Sequence, residues 1–197
     1  MQETEITVQI FDKIENVKKK LVLLGYEEIE EFTGEDDYFS TLSGEELKQA
    51  GYQELLNSSI IVRSFFTKTS NKRESMLVFK NKILNEKGDV LSTEKISTEI
   101  DNVENARKLL ALSGLKNWAV LKQQNAFYKL DEKIVTVGTV EGLEGCFIEI
   151  EEYPSIANLS SEAKFEKLKE FCASFGFKTG NDYSVKKVYM LYQQSSK

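Results

Sequence analysis

Residues 3–10, ETEITVQI, alternate polar and apolar side chains, with Ile6, Val8 and Ile10 on one side and Glu3, Glu5 and Thr7 on the other. A period of two marks a strand with a single apolar face. Near the far end of the chain FIEIEEY (147–153) does the same, with Glu149 and Glu151 sharing a face. Two strands from opposite ends of the sequence therefore each set paired carboxylates on one face. That face either stands in water or lines a polar interior.

The 197 residues suffice for a sizeable core, and 41% hydrophobic with 29% charged residues is ordinary for a globular protein. Net charge is −6, so nucleic acid is not an expected partner, although a basic site enclosed in an acidic body is not visible in such a total. No apolar run approaches membrane-spanning length, and Glu3 and Glu5 interrupt any signal-like start, so a cytoplasmic protein without a membrane partner is expected. Cys146 and Cys172 lack metal-ligand spacing and read as reduced thiols. There is no histidine, which excludes imidazole catalysis and His-based zinc sites; a metal here is held by oxygen, favouring Mg2+ or Mn2+.

Three segments read as helices. In FDKIENVKKKLVLLGY, Asp12 is placed to cap, Ile14, Val17, Leu21 and Leu24 form a stripe, and Gly25 stops it. DNVENARKLLALSGL starts at Asp101 and stops at Gly114; SSEAKFEKLKEFCASFGF ends near Gly176. The first two share E-N-x-x-K-x-L-x-L-x-G, beginning at Glu15 and at Glu104, and each follows a strand and precedes strand-rich sequence. That spacing favours two related halves over chance likeness of amphipathic helices.

The rest reads mostly as strands. SIIVRSFFTKT (59–69) and ESMLVFKNKIL (74–84) flank a turn, followed by STEKISTEI (92–100), WAVLKQQNAFYKL (118–130), KIVTVGTV (133–140) and GCFIEIEEY (145–153). The insertion 42–57 has room for a short helix. No linker divides the chain, so one domain over residues 1–197 is expected. Its class is α+β: an antiparallel closed or C-shaped β-barrel with flanking helices.

The strands place isolated charges opposite their apolar faces: Glu3 and Glu5, Arg63, Lys80 and Lys82, Lys95 and Glu99, Lys122, Glu149 and Glu151. If those faces converge inside a barrel, basic residues can hold a polyphosphate while carboxylates hold a bridging divalent ion.

The order of these motifs resembles the CYTH family of triphosphate tunnel enzymes, which includes adenylyl cyclases, thiamine triphosphatases and inorganic triphosphatases. E-x-E at Glu3 and Glu5, DDYF (36–39), IIVRSF, LVFK, EKISTEID and above all VEGLEGCFIEIE (140–151) carry the resemblance across nearly the whole chain. It implies a tunnel in which Glu3, Glu5, Glu99, Glu149 and Glu151 serve Mg2+ or Mn2+, and Arg63, Lys80, Lys95 and Lys122 serve the triphosphate of a nucleotide or other small molecule. The chain departs from the family pattern at several places. Thr7 stands where the first-strand lysine belongs, Arg63 alone represents an arginine pair, and Ser97, Gln124 and Gly138 replace charged residues. A triphosphate carries about four negative charges near neutral pH, so fewer cations mean weaker binding. Two functions therefore stand: a metal-dependent enzyme that hydrolyses a triphosphate or cyclises ATP, and a binding protein that holds a phosphorylated or anionic ligand without turnover.

Outside the motifs the readings are plain. Lys68 and Lys82 are expected in solvent, as is Glu152, on the opposite strand face from Glu149 and Glu151. Trp118 reads as a packing group; Tyr128 reads as packing or as part of a nucleotide entrance. Cys146 reads as a small apolar filler.

Overall fold

The computed structural model describes residues 2–86, 88 and 90–195, apart from the side chains of residues 2 and 3. Nine strand segments make one antiparallel sheet: β1 (Gln2–Glu3), β2 (Glu5–Ile10), β3 (Glu27–Ser40), β4 (Ile60–Thr67), β5 (Lys72–Leu84), β6 (Val90–Glu99), β7 (Lys116–Leu130), β8 (Lys133–Val140) and β9 (Cys146–Glu151). The helices are α1 (Ile14–Leu23), α2 (Glu45–Gln49), α3 (Tyr52–Asn57), α4 (Val103–Leu112), α5 (Ser161–Ser174) and α6 (Lys187–Ser195).

The sheet runs β1-β6-β5-β4-β3-β7-β8-β9-β2, so its two edges are formed by consecutive pieces of the N-terminal stretch. The chain changes partner at Thr4: Glu3 faces Thr93 of β6, while Glu5 faces Glu151 of β9. At the switch Thr4 N donates to Glu152 Oε2 (3.1 Å) and Glu152 N donates to Thr4 O (2.9 Å). Glu152, expected in water, thus secures the crossing and also binds Lys164 Nζ at 3.0 Å. One short stretch paired to both ends curls the sheet around an interior.

The repeat seen in the helices extends to the topology. β2, α1 and the meander β3-β4-β5 form one half, and β6, α4 and the meander β7-β8-β9 form the other. The leading strand of each half pairs with the last strand of the other, and β3 and β7 meet in the middle.

Ile6, Val8 and Ile10 are fully buried, facing outward from the barrel beneath helices and packed with Val17 and Leu21 of α1 and Phe165, Leu168 and Cys172 of α5. Each such side chain contributes roughly 1.5–3 kcal/mol, which fixes the register, since a one-residue slip would turn the carboxylates into this layer. Tyr128 is buried in the same layer, with its hydroxyl on Glu28, and is a packing group. Cys146 and Cys172 are buried free thiols there, each pushed up to about 11 by burial, so neither is a nucleophile.

The helix ends differ in detail from the reading above. Lys13 occupies the N-cap of α1, and Asp12 instead accepts from Lys178 N at 3.0 Å. Asn102, not Asp101, caps α4 through Asn105 N (2.9 Å). The insertion forms the two short helices α2 and α3. Lys68 is exposed and binds Glu31 at 2.9 Å. Helix α6 has no counterpart in the sequence reading, although Val185, Val188 and Leu191 carry a helical spacing.

Candidate functional site

Because side chains alternate along each strand, one face of every strand looks into the barrel. The cavity there, open to solvent at its rim, has a volume of about 370 Å³, at the small end of ligand pockets. Apolar side chains line part of it: Tyr38, Ile61 and Leu121 with Val188 of α6 in one cluster, and Phe32, Phe65 and Phe127 from β3, β4 and β7. Charged side chains line it as well. Glu5, Glu149, Glu151, Glu30 and Asp36 line it together with Arg63, Lys80, Lys82, Lys95, Lys186 and Lys187. An acidic protein therefore encloses a space in which cations outnumber carboxylates.

Arg63 on β4 stands directly opposite Asp36 on β3, and its Nε and Nη2 bind the two carboxylate oxygens at 2.7 and 2.5 Å. Burial works against the guanidinium charge, but Asp36 more than restores it and raises the pKa. This bidentate pair leaves the other N–H donors of Arg63 for the cavity. Tyr38, two residues on, is pushed well above the tyrosine range by burial and by Asp36.

Glu5 and Glu151 face one another on paired strands, and Thr7 faces Glu149. Like charges directly opposite are unfavourable unless cations answer them. Lys80 does most of this: it holds Glu5 at about 2 against the effect of burial, with Lys82, Lys187 and Arg63 adding to it. Glu5 is therefore ionised at any ordinary pH. Lys80 and Lys95 are opposite each other on β5 and β6, both turned inward.

Lys82 corrects the reading above. It is not in solvent but lines the cavity, and burial lowers it to about 8. The alternation Lys80-x-Lys82 already put both on one face. Below pH 8 the buried charge opposes folding, and stability should rise from about pH 8 to its unfolded value of 10.5, where the unfolded chain binds more protons. An anion in the cavity reverses the preference and favours the charged form. Tripolyphosphate affinity is expected to be flat below pH 8 and to fall above it by up to about tenfold per pH unit. Calorimetry at pH 9 in two buffers of different ionisation enthalpy should show proton uptake approaching one, absent in Lys82→Met; no uptake in the wild type would refute the assignment.

Two of the other expected site residues, Lys122 and Glu99, lie outside this cavity. Lys122 is turned away from the cavity because its neighbours Leu121 and Gln123 take the inward positions on β7. It lies in an adjoining groove of about 900 Å³, 4.0 Å from Glu35 and near Arg107, whose guanidinium is engaged by Glu35, Asp37 and Glu104. Glu99 sits exposed at the end of β6, opposite Met76, and lines neither space. Glu151 is at the exposed rim. Of Glu3 only the backbone lies among the described residues, so its side-chain role falls outside them. Asp36, Lys186 and Lys187 were missed; Asp36 was legible as the buried partner an isolated inward arginine requires.

Gly138, in place of a charged residue, has a steric cause. A Cβ there would stand 1.8 Å from Asn125 Oδ1 and 2.6 Å from the Gln124 carbonyl oxygen. Gly138→Asp is expected to destabilise by at least about 1–3 kcal/mol, read as a lower denaturant midpoint. An unchanged midpoint would show that the strand gives way freely.

The donors available to a divalent ion are hard carboxylate oxygens, which suit Mg2+ or Mn2+ in kind. In position they do not converge: among the described residues no group of three carboxylates or cysteines lies at metal-binding spacing. Asp36 is committed to Arg63, and Glu149 Oε1 accepts a hydrogen bond from Lys187 Nζ.

A family model, the CYTH domain, matches residues 1–174. Among solved structures, the PH1819 protein of Pyrococcus horikoshii OT3 is similar, with 22% identity, 98% of this chain and 99% of that chain covered, and a TM-score of 0.74. The PH1012 protein of the same organism is 19% identical over 92% and 96% of the chains, with a TM-score of 0.65. A "putative adenylate cyclase" from Vibrio parahaemolyticus is 15% identical over 95% and 98%, with a TM-score of 0.59. At such identities the structural likeness establishes the antiparallel tunnel fold. The curated proteins give no match. No helix among the described residues is long and apolar enough to cross a membrane.

Proposed function

Since this chain belongs to the CYTH domain family, we propose that its tunnel holds a triphosphate and, with Mg2+ or Mn2+, catalyses attack on phosphorus in the cytoplasm. The observation that carries this reading is one cavity in which ionised Glu5 and the carboxylates Glu149 and Glu151 meet Arg63, Lys80, Lys82 and Lys95. The cations neutralise the phosphate oxygens, and the strands that carry them hold the chain of phosphates in one orientation. Of the residues in the cavity, Glu5, Glu149 and Glu151 are the carboxylates that would hold a divalent ion on drawing together. A divalent ion held there would supply Lewis acidity toward a phosphoryl oxygen and an activated water.

The reaction is hydrolysis of an organic or inorganic triphosphate, thiamine triphosphate among them, or cyclisation of ATP, as the name of the Vibrio relative suggests for that protein. A second reading, binding without turnover, draws on the engagement of Glu149 by Lys187 rather than by other carboxylates. Phosphorus NMR of the protein with Mg2+ and, in turn, tripolyphosphate, ATP and thiamine triphosphate separates the two. Phosphate, pyrophosphate or a cyclic nucleotide appearing with Mg2+ and not with EDTA identifies the enzyme and its reaction. Broadened substrate signals with no product move the assignment to a binding protein, and unaltered spectra remove the triphosphate from the tunnel.

A further inference from the structure

We propose that the cavity takes an organic triphosphate in preference to a bare inorganic one: an aromatic heterocycle attached to the phosphates lies against Phe32, Phe65 and Phe127, and an N–H of that heterocycle donates to Glu30. This rests on the reading of the cavity as a triphosphate site and names the class of group the triphosphate carries.

Alternation along β3, β4 and β7 turns the three phenylalanines inward. Their rings meet: Phe32 lies 4.8 Å from Phe127 and 6.2 Å from Phe65 between centroids, within the range of attractive aromatic pairs. Yet all three are only half-buried, and among the described residues none belongs to a buried core cluster. Core packing therefore does not account for them. Their unburied surface lines the cavity and, for Phe65, the adjoining groove as well.

The register sets this patch on one side of the Arg63–Asp36 pair. Gly34 faces Phe65, Phe32 faces Thr67, and Glu30 faces Phe127, so the wall passes from a charged pair to aromatic surface along β3. On β5, Met76 faces Arg63 and Val78 faces Ile61, which puts Lys80 and Lys82 on the other side of the pair. A phosphate chain laid from Lys80 to Arg63 thus ends where the phenylalanines begin. Phe65 follows Arg63 by two residues, a rise of about 7 Å, which a sugar or short linker between phosphate and ring covers.

The polar groups beside the patch narrow the ring. Glu30 and Thr136 flank Phe127 from β3 and β8, and both line the cavity. Lys18 and Lys68 are held by Glu31, which leaves Glu30 without an ion pair among the described residues. An ionised carboxylate only accepts hydrogen bonds, so it selects a ring that offers N–H or positive charge.

The test is calorimetric binding to the full chain in EDTA, with ATP, thiamine triphosphate and tripolyphosphate as probes. At least one ring-bearing probe should bind more tightly than tripolyphosphate. Phe65→Leu and Phe127→Leu should weaken that probe about five- to hundredfold and leave tripolyphosphate within about twofold. Glu30→Ala should weaken it about tenfold without weakening tripolyphosphate. A ring-bearing probe with no advantage, or equal losses for ring-bearing and bare triphosphate, overturns the ring site and leaves the triphosphate reading intact. Glu30→Ala that tightens both alike makes Glu30 a mere repeller of phosphate and overturns its role. Failure of all three probes to bind the unaltered protein overturns both readings. In that unaltered protein, proton NMR should show the ring protons of the bound probe shifted upfield and cross-relaxing with phenylalanine ring protons. Ring protons unshifted on binding overturn the site, whatever the folding of the variants.

Discussion

Arg63→Ala is expected to lower the midpoint of thermal unfolding by roughly 6–20 °C, because breaking a buried pair costs about 3–5 kcal/mol and each kcal/mol moves a domain of this size by about 2–4 °C. Asp36 is 1% exposed and both its oxygens are engaged by Arg63. Without the guanidinium, a carboxylate is left in the barrel wall with neither water nor a partner. The loss belongs to the stranded charge, not to the strength of the pair. The double variant Arg63→Met, Asp36→Leu should therefore recover most of the midpoint while failing to restore tripolyphosphate binding. Scanning calorimetry of the single and double variants checks this; a single variant within a degree or two of wild type would mean that Asp36 is not the buried anion described here. The same pair explains why one arginine suffices on β4: it is oriented by Asp36 and still presents donors to the cavity.

Much of the barrel was legible because its outer layer obeys a strict alternation. Ile6, Val8 and Ile10, and Val135 and Val137 on β8, mark which face goes beneath helices, and the carboxylates on β2 and β9 follow from it. The paired halves were legible from Glu15 and Glu104 onward, since each helix leads into a meander. What failed did so for physical reasons. EEIEEF (27–32) has glutamates on both faces and does not read as a strand, yet it pairs with β7, and Glu31 is held by Lys18 and Lys68, which keep its carboxyl near 2. Lys122 lies outside the cavity because the inward positions of β7 are taken by Leu121, Gln123, Asn125 and Phe127. Apolar residues on an inner face look like an outer face from sequence alone. Lys82 was misread for the complementary reason: a charged face alternates identically whether it meets water or a polar cavity, and only closure of the sheet decides. Lys187 follows no strand pattern. Its place depends on residues 178–185, a strap along β2 that no local periodicity announces.

The carboxylates should govern turnover more than any other group. Glu5→Gln and Glu149→Gln are each expected to reduce the rate of product formation by about 10²–10³, the scale of removing one preorganised group that acts on transition-state charge. Together they should lose little more than the worse single change, because residues that act as one unit are not additive. The cations differ. Lys95→Met removes a contact made alike to substrate and transition state, so KM should rise about tenfold with kcat nearly kept. Phosphorus NMR time courses at saturating and limiting substrate separate these effects. Thermal midpoints need recording alongside, because Glu5 is stabilised by Lys80 above its unfolded pKa of 4.5, a contribution lost only as pH falls toward 2, so its amide is also less stable at neutral pH. A double variant that is folded and still turns over at the wild-type rate would take the metal, and with it the reaction, away from these carboxylates. Loss of turnover with unchanged tripolyphosphate affinity would instead place the phosphates on the lysines and the chemistry on Glu5 and Glu149.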